Sequence, residues 1–561
     1  MSEQSPRDPV AASENRKPSF RFDADIFKLC TRYLEENNYH GLALIARQKG
    51  LPPFLRLRIW PILLKHHPFV LNPFLQPDND VLNKPKHDSD QGDRADGQLN
   101  DEDIRFKIKK DLKKYVQRLK YNSSPDINEI EMEMLEVLEK AIFKFVKKWG
   151  KIIKYDQAIT WIALGLAEWL PPIENTHWVL IGRDVSSSDN LYITNIMDEY
   201  STYIENVPDL EDYLNDVIAS PQMKFSDVFE RLVLVLLHSP ENRTRSPSSK
   251  VNKTTLPLNG GTIEDRVSFF IYCLRKLLPE LSDYFQEEQI LNKFGSNDDE
   301  WLIWWLKWCG AKVWSRMDRG RIWDMILGWR LQNPKKSTAY YQDKLKLTKH
   351  QLEKLGPDVF WSVSQHDEDK VDEGEGHDEF KKSGSFKDLL HGLSMANISA
   401  SSSNTNSPSE STSPLLTPTR RSSSSSTSLS EGIDDMNIPF SRLDPHIELV
   451  FISLALLKSK EGTLVELDQH EIRQFLSRLP TKSYNYTTRY QKYKQMKLEK
   501  EKEEDHGNGS VSSESSNGDG GSQIITNDHA NSRRYDYMDN VVNEAGELWR
   551  KWFWSEAVEN E

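Results

Sequence analysis

With 561 residues the chain is long enough for one large domain or two to three ordinary ones. Only 37% of it is hydrophobic and its mean hydropathy is −0.66, so a sizeable share of the length is expected to stay outside any packed core. A formal net charge of −13 argues against a general nucleic-acid binder, which would be basic.

Residues 1–20 are polar and expected to be disordered. Residues 21–45 form an N-terminal helical segment, with helical periodicity running from near Asp25 through Leu44. The turn Gly50-Leu-Pro-Pro53 then introduces a helix carrying Leu55, Ile59, Leu63 and Leu64 on one face, with Pro61 as a kink point. Prolines are tolerated at a helix entrance because the first amides have no intrahelical partner.

Gln76 to Asp103 reads as a polar surface loop. Glu129 to Trp149 is an amphipathic helix with Ile130, Met134, Leu138, Ile142 and Phe145 repeating at three to four residues. Its acids lie early and its lysines late, as the helix dipole favours. Ser239 to Gly261 is a second polar loop and Ile263 to Phe285 a further helix. Asn297-Asp-Asp-Glu300 reads as a cap for Trp301 to Trp308, where Trp301, Trp304, Trp305 and Trp308 make a core stripe.

From Lys370 to Asp435 the composition turns acidic and then serine-rich, a stretch that cannot bury enough apolar surface to offset its ordering entropy. Within it Ser407, Ser413 and Thr417 each precede proline and Ser423 follows Arg420-Arg421, patterns that suit kinases. Periodicity returns at Pro445 to Leu457 and Asp468 to Leu479. A polar, largely disordered linker covers 481–534. The closing segment 535–561 is an amphipathic helix with Val541, Ala545, Leu548, Trp552 and Phe553 in register. No alternation of period two stands out, so the ordered part reads as all-α.

Cys30, Cys273 and Cys309 show no C-x-x-C spacing and imply neither a disulfide framework nor a zinc site, which fits a reducing compartment. The N-terminus has no apolar stretch typical of a secretory signal. The run Leu232 to Leu237 is far short of the roughly 20 residues that span a bilayer. A soluble cytoplasmic protein with no integral membrane segment is expected. His66-His67 lack neighbouring ligands, and no metal site is expected.

Three short strings carry the chemistry: Arg56-Leu-Arg-Ile-Trp60, Ile108-Lys-Lys-Asp111-Leu-Lys-Lys114 and Tyr155-Asp-Gln157. In order and spacing they resemble the R-x-x-x-W, I-x-x-D-x-x-R and Y-x-Q motifs of the TBC domain, the GTPase-activating domain for Rab-type small GTPases. Arg321-Ile-Trp-Asp324-Met-Ile-Leu-Gly328 and the helices from Val450 to Leu479 add to the likeness. It covers about 46–480, interrupted by a disordered insert at about 370–437. The string from Tyr155 to Trp161 and the terminal helix resemble the fungal oxidant-induced cell-cycle-arrest branch of that family.

The resemblance implies an all-α, TBC-type helical domain with long disordered insertions. It implies a glutamine finger at Gln157, the motif tyrosine at Tyr155, an orienting carboxylate at Asp111, and a scaffold pair at Arg56 and Trp60. The position of the family's arginine finger is held by Lys114, with Arg118 one turn further on as a lesser candidate. After Gln157 the family's Gly-Met-Asn is replaced by Ala158-Ile159-Thr160.

GTP hydrolysis needs the attacking water positioned and the charge on the transferring phosphoryl group neutralised, and an arginine finger in trans contributes about 10³ to 10⁵ in rate. Lysine brings the charge without the planar fork. The implied function is a regulator of a Rab-type GTPase acting as its GTPase-activating protein. It would carry no cofactor of its own, the GTP and Mg being bound by the partner. The alternative is a catalytically inactive TBC scaffold or adaptor that binds a GTPase or another regulatory protein.

Overall fold

A computed structural model describes residues 24–76, 100–119, 129–182, 192–205, 207–240, 259–291, 300–330, 443–477 and 533–559, with isolated positions between 343 and 360. The described part is all-α apart from one small hairpin pair. The expected disorder at 1–20 and about 370–437, the phosphorylatable Ser407, Ser413, Thr417 and Ser423, and most of 481–534 lie outside the described residues.

The N-terminal periodicity resolves into two helices, α1 (Ala24–Glu35) and α2 (Tyr39–Gln48). The expected single run from Asp25 to Leu44 breaks because Asn37 takes a left-handed conformation at φ 53 and the Asn38 side chain caps α2 by accepting from the Gly41 amide. Gly50, at φ +78, turns the chain where the Arg321 side chain would meet a Cβ at 2.6 Å. One 3₁₀ turn (Pro53–Leu55) then leads into α3 (Arg56–His66), with Pro61 inside it, and the short α4 (Pro68–Leu71).

Next come α5 (Asp101–Leu119), α6 (Glu129–Trp149) and α7 (Gln157–Ala167). Asp101 to Asp103 begin α5 instead of ending the preceding loop, since acids in a first turn complement the exposed amides. Strands β1 (Trp178–Leu180) and β2 (Ile193–Asn195) pair antiparallel, Val179 opposite Thr194. At three residues each, neither strand is long enough to show an alternation in the sequence, and the described part stays all-α in class.

The short α8 (Ile196–Glu199) and α9 (Ser201–Ile204) precede α10 (Leu210–Ala219) and α11 (Phe225–Leu236). The helix expected over Ile263 to Phe285 is two, α12 (Ile263–Leu277) and α13 (Pro279–Glu287), because Pro279 starts a new first turn. Then follow α14 (Glu300–Leu306), α15 (Arg316–Leu327), α16 (Pro445–Lys458), α17 (Glu461–Leu464), α18 (Gln469–Ser477) and the terminal α19 (Arg533–Glu559).

The core centres on α15 and α16. Every residue from Pro445 to Leu457 is buried, so α16 needs apolar neighbours on all sides. The terminal helix lies along it, with Phe451, Trp549, Trp552 and Phe269 of α12 forming an aromatic cluster. Trp301, Trp304, Trp305 and Trp308 are buried as expected.

Helix α15 is buried on nearly all sides yet highly charged. Its side chains are matched instead of solvated: Arg316 with Glu199, Arg319 with Glu168, Arg321 with Asp539, and Asp324 with Arg56. Among the described residues no helix is long and apolar enough to cross a membrane.

Candidate functional site

Helix α7 begins at the residue expected to carry the glutamine finger. Asp156 caps it, its Oδ1 accepting from the Ala158 amide at 2.7 Å, which satisfies one of the unpaired first-turn donors. Gln157 is therefore the first helical residue, half-buried, and its side chain makes no hydrogen bond among the described residues.

Tyr155, two residues earlier, turns its hydroxyl inward. It donates to Asp111 Oδ2 of α5 at 2.9 Å and lies 2.8 Å from Thr160 Oγ1 of α7. Burial, aided by the Asp111 charge, pushes the phenol far above its usual range. It stays protonated, its single proton goes to the carboxylate, and Thr160 is left to donate to the phenol oxygen. One hydroxyl thus ties α5, the α6–α7 link and the first turns of α7 together. Tyr115 of α5 packs edge-on against Trp161 of α7 at 5.5 Å, which fixes the same pair of helices apolarly.

Lys114 stands one turn beyond Asp111 on α5. Its Nζ is 3.3 Å from Asp111 Oδ1, and the side chain is 47% exposed against 12% for Asp111. A pair this open is worth about 0–1 kcal/mol, so the ammonium can leave the carboxylate for another anion at little cost. Asp111 then faces two ways, holding Tyr155 with one oxygen and Lys114 with the other. Lys114, Asp111 and Tyr155 are in this way brought to one place, and Gln157 follows two residues after Tyr155 at the start of α7. Arg118 lies on α5 as well, but its side chain is outside the described residues.

Arg56 and Trp60 are elsewhere. Asp324 of α15, fully buried, accepts from Arg56 Nη2 at 2.7 Å, Arg56 Nε at 3.1 Å, Trp60 Nε1 at 2.7 Å and the Leu51 amide at 3.0 Å. The Arg56 guanidinium also sits 4.2 Å from the Trp169 ring, just past the far end of α7. As α7 has 11 residues, about 16 Å of helix separates this cluster from Gln157. The pair is a structural anchor behind α7, and its aspartate partner is 268 residues away in the chain. In the sequence Thr160 stands only as a departure from the family pattern and Asp324 only within a motif-like string; neither shows its hydrogen-bond partners there.

No group of three or more His, Cys, Asp or Glu among the described residues is arranged to hold a metal ion. His66 stacks on Tyr39 with ring centroids 4.2 Å apart. His67 is buried and its Nε2 lies 3.3 Å from the Ile326 carbonyl. All three cysteines are buried, and burial pushes the thiols of Cys30, Cys273 and Cys309 up, away from the reactive thiolate.

No family model and no solved structure matches the chain. It is 97% identical over 561 residues to the oxidant-induced cell-cycle arrest protein 5 of Meyerozyma guilliermondii, covering 100% of both chains. To the protein of the same name from Debaryomyces hansenii it is 56% identical over 560 residues, or 97% of this chain and 82% of that one. The Kluyveromyces lactis protein of that name is 30% identical over 569 residues, covering 98% and 96%.

Proposed function

Since the chain belongs to the oxidant-induced cell-cycle arrest protein 5 family, we propose that it is a TBC-type regulator acting in the cytoplasm on a Rab-type small GTPase. In this reading it is a GTPase-activating protein with a lysine in the finger position. The observation that carries the proposal is the Tyr155 hydroxyl bridge between Asp111 and Thr160. It ties α5, which carries the exposed Lys114, to the start of α7, where the Gln157 side chain makes no hydrogen bond among the described residues, an arrangement that suits trans stimulation of GTP hydrolysis.

Gln157 would orient the attacking water, while Lys114, released from Asp111, would offset charge on the phosphoryl oxygens. GTP and Mg would come with the GTPase. Lysine supplies one charge without a bidentate fork, so the stimulation is expected to fall below what an arginine finger gives.

A second reading has its own support. Lys114 already has a carboxylate partner in Asp111, which suits a surface that binds a GTPase or another regulatory protein without chemistry. Single-turnover GTP hydrolysis across a panel of Rab-type GTPases separates the two. Under the first reading Gln157→Ala lowers the stimulated rate about 10-fold or more and Lys114→Arg raises it. An unchanged rate in Gln157→Ala sinks the catalytic role. Binding that persists with no stimulation by the wild type or by Lys114→Arg establishes the scaffold instead.

A further inference from the structure

The lysines of α5, α6 and the link after them fall into two groups. Lys109 is paired with Glu139, Lys114 with Asp111, Lys140 with Glu136, Lys144 with Asp227, Lys147 with Asp101 and Lys148 with Glu230. Lys107, Lys110, Lys113, Lys151 and Lys154 are all exposed and make no ion pair among the described residues.

On α6 every lysine is paired, whereas on α5 paired and unpaired lysines stand side by side, Lys109 and Lys113 lying one turn apart. The paired lysines other than Lys114 lie where α6 meets α5 and α11, or along α6 itself. Of the unpaired ones, Lys107 follows the helical row of Asp111 and Lys114, at a spacing of four and seven residues. Lys110 and Lys113 form the outward strip beside it. Lys151 and Lys154 sit in the link that runs into Tyr155 and Gln157. On the same strip as Lys110 and Lys113, at helical spacing, stands Phe106, 67% exposed, more than any other exposed large apolar side chain among the described residues.

Lys107, Lys110 and Lys113 follow one another at three-residue steps on α5, about 4.5 Å of rise each, so their like charges repel within a Debye length of about 8 Å. The helix dipole favours lysines near the end of α5, but it does not account for Lys107 and Lys110 or for the two in the link. A chain of net charge −13 that pairs its α6 lysines with carboxylates and leaves Lys107, Lys110 and Lys113 on α5 and Lys151 and Lys154 ahead of Gln157 open has a surface shaped for an anion.

We infer that the GTPase partner docks on this strip through an acidic surface with an apolar recess for Phe106, steered there by Lys107, Lys110, Lys113, Lys151 and Lys154. This rests on the GTPase-binding reading above and adds the chemistry of the partner's face. A protein partner fits better than a bilayer. The apolar side of α5, with Ile108, Leu112, Tyr115 and Val116, is buried in the core, so Phe106 alone is left where membrane helices present a broad apolar face. Steering of this kind acts mainly on the encounter rate and is lost as salt rises.

The test uses the full chain and a GTPase, loaded with a non-hydrolysable GTP analogue, chosen from the hydrolysis and binding panel. Stopped-flow association is followed from about 0.02 to about 0.5 M ionic strength. The association rate constant is expected to fall about 10-fold or more over that range, and the double variant Lys110→Glu/Lys113→Glu to lower it about 10-fold at low salt. The control Lys140→Glu, a reversal at a paired lysine, is expected to stay near wild type.

Thermal unfolding checks that the double variant is folded; if it is not, Lys110→Gln/Lys113→Gln replaces it with a smaller expected loss. Association insensitive to salt and to both variants, with a GTPase the wild type does bind, overturns the inference and leaves the GTPase reading standing. A wild type that binds no GTPase removes both. Lysine-dependent binding of phosphatidylserine vesicles or of RNA, with GTPase association unaffected, overturns the inference in favour of those ligands.

Discussion

His67 and His238 show how single residues are set by neighbours far away in the chain. Both are buried near Asp444 and His446, with Arg47 also near His67 and Arg266 near His238, and the Phe69 ring stacks on His238 with centroids 3.5 Å apart. Burial lowers each imidazole to about 3, with the Ile326 carbonyl and Asp444 working against the drop for His67 and Asp444 for His238. In the unfolded chain both return to about 6.5. Below pH 6.5 the unfolded state takes up protons that the fold refuses, so stability is lost as pH falls from about 6.5 towards 3. The slope is up to about 1.4 kcal/mol per pH unit for each residue. Thermal unfolding should show the melting temperature dropping between pH 7 and 4.5, and His238→Gln should flatten that drop by up to one proton's share. An equal slope in the variant would show that His238 is charged in the fold. In the sequence, His67 gave no sign of this, because its partners at Ile326 and His446 lie in other helices. Lys114, Asp111, Tyr155 and Gln157 were legible as a set only through the resemblance. Thr160 stands in the sequence only as a departure from the family pattern, and its pairing with the Tyr155 hydroxyl shows only in the fold.

At the scale of elements, periodicity located helices well where one face alone is buried. Helix α6 runs over the expected residues from Glu129 to Trp149. It also located α16, expected over Pro445 to Leu457, though that helix is buried all round; α15, buried almost all round and charged, carries no apolar stripe for periodicity to find. A charged helix such as α15 reads as a surface element until Glu168, Glu199, Asp539 and Arg56 arrive from other parts of the chain. The breaks at Asn37 and Pro279 did leave local signals, an Asn-Asn pair and a first-turn proline, which the longer apolar period masked. The terminal helix is the clearest success of pattern reading: Val541, Ala545, Leu548, Trp552 and Phe553 are all buried. Trp552 is 1% exposed and meets Phe269 edge-on at 5.3 Å and Trp549 at 5.5 Å. Trp552→Ala should therefore cost about 3–5 kcal/mol in chemical denaturation, whereas Trp554→Ala, at a side chain 44% exposed, should stay within about 0.5 kcal/mol of wild type. Equal losses at the two positions would mean that α19 does not dock on α12 and α16.

For the whole molecule, the question is whether residues on either side of the 361–442 stretch make one core or two. The contacts favour one. Arg47 of α2 and Arg330 after α15 both pair with Glu448 of α16, and Arg330 also pairs with Asp358. Truncating any member would leave a buried charge uncompensated, at a cost of about 3–5 kcal/mol. His446 Nε2 lies 3.1 Å from the Leu236 carbonyl at the end of α11, and Arg321 reaches Asp539 of α19. None of these links depends on the covalent chain between 361 and 442, because every one closes directly between helices. A specific protease site introduced at residues 400–410, in the serine-rich stretch, should thus be cleavable without dissociation. After cleavage the two pieces should co-elute in size exclusion and unfold in a single transition, because α16 alone would expose an apolar surface on all sides. Separation of the pieces without denaturant, or two resolved transitions, would show instead that the segment after 443 folds as an independent unit.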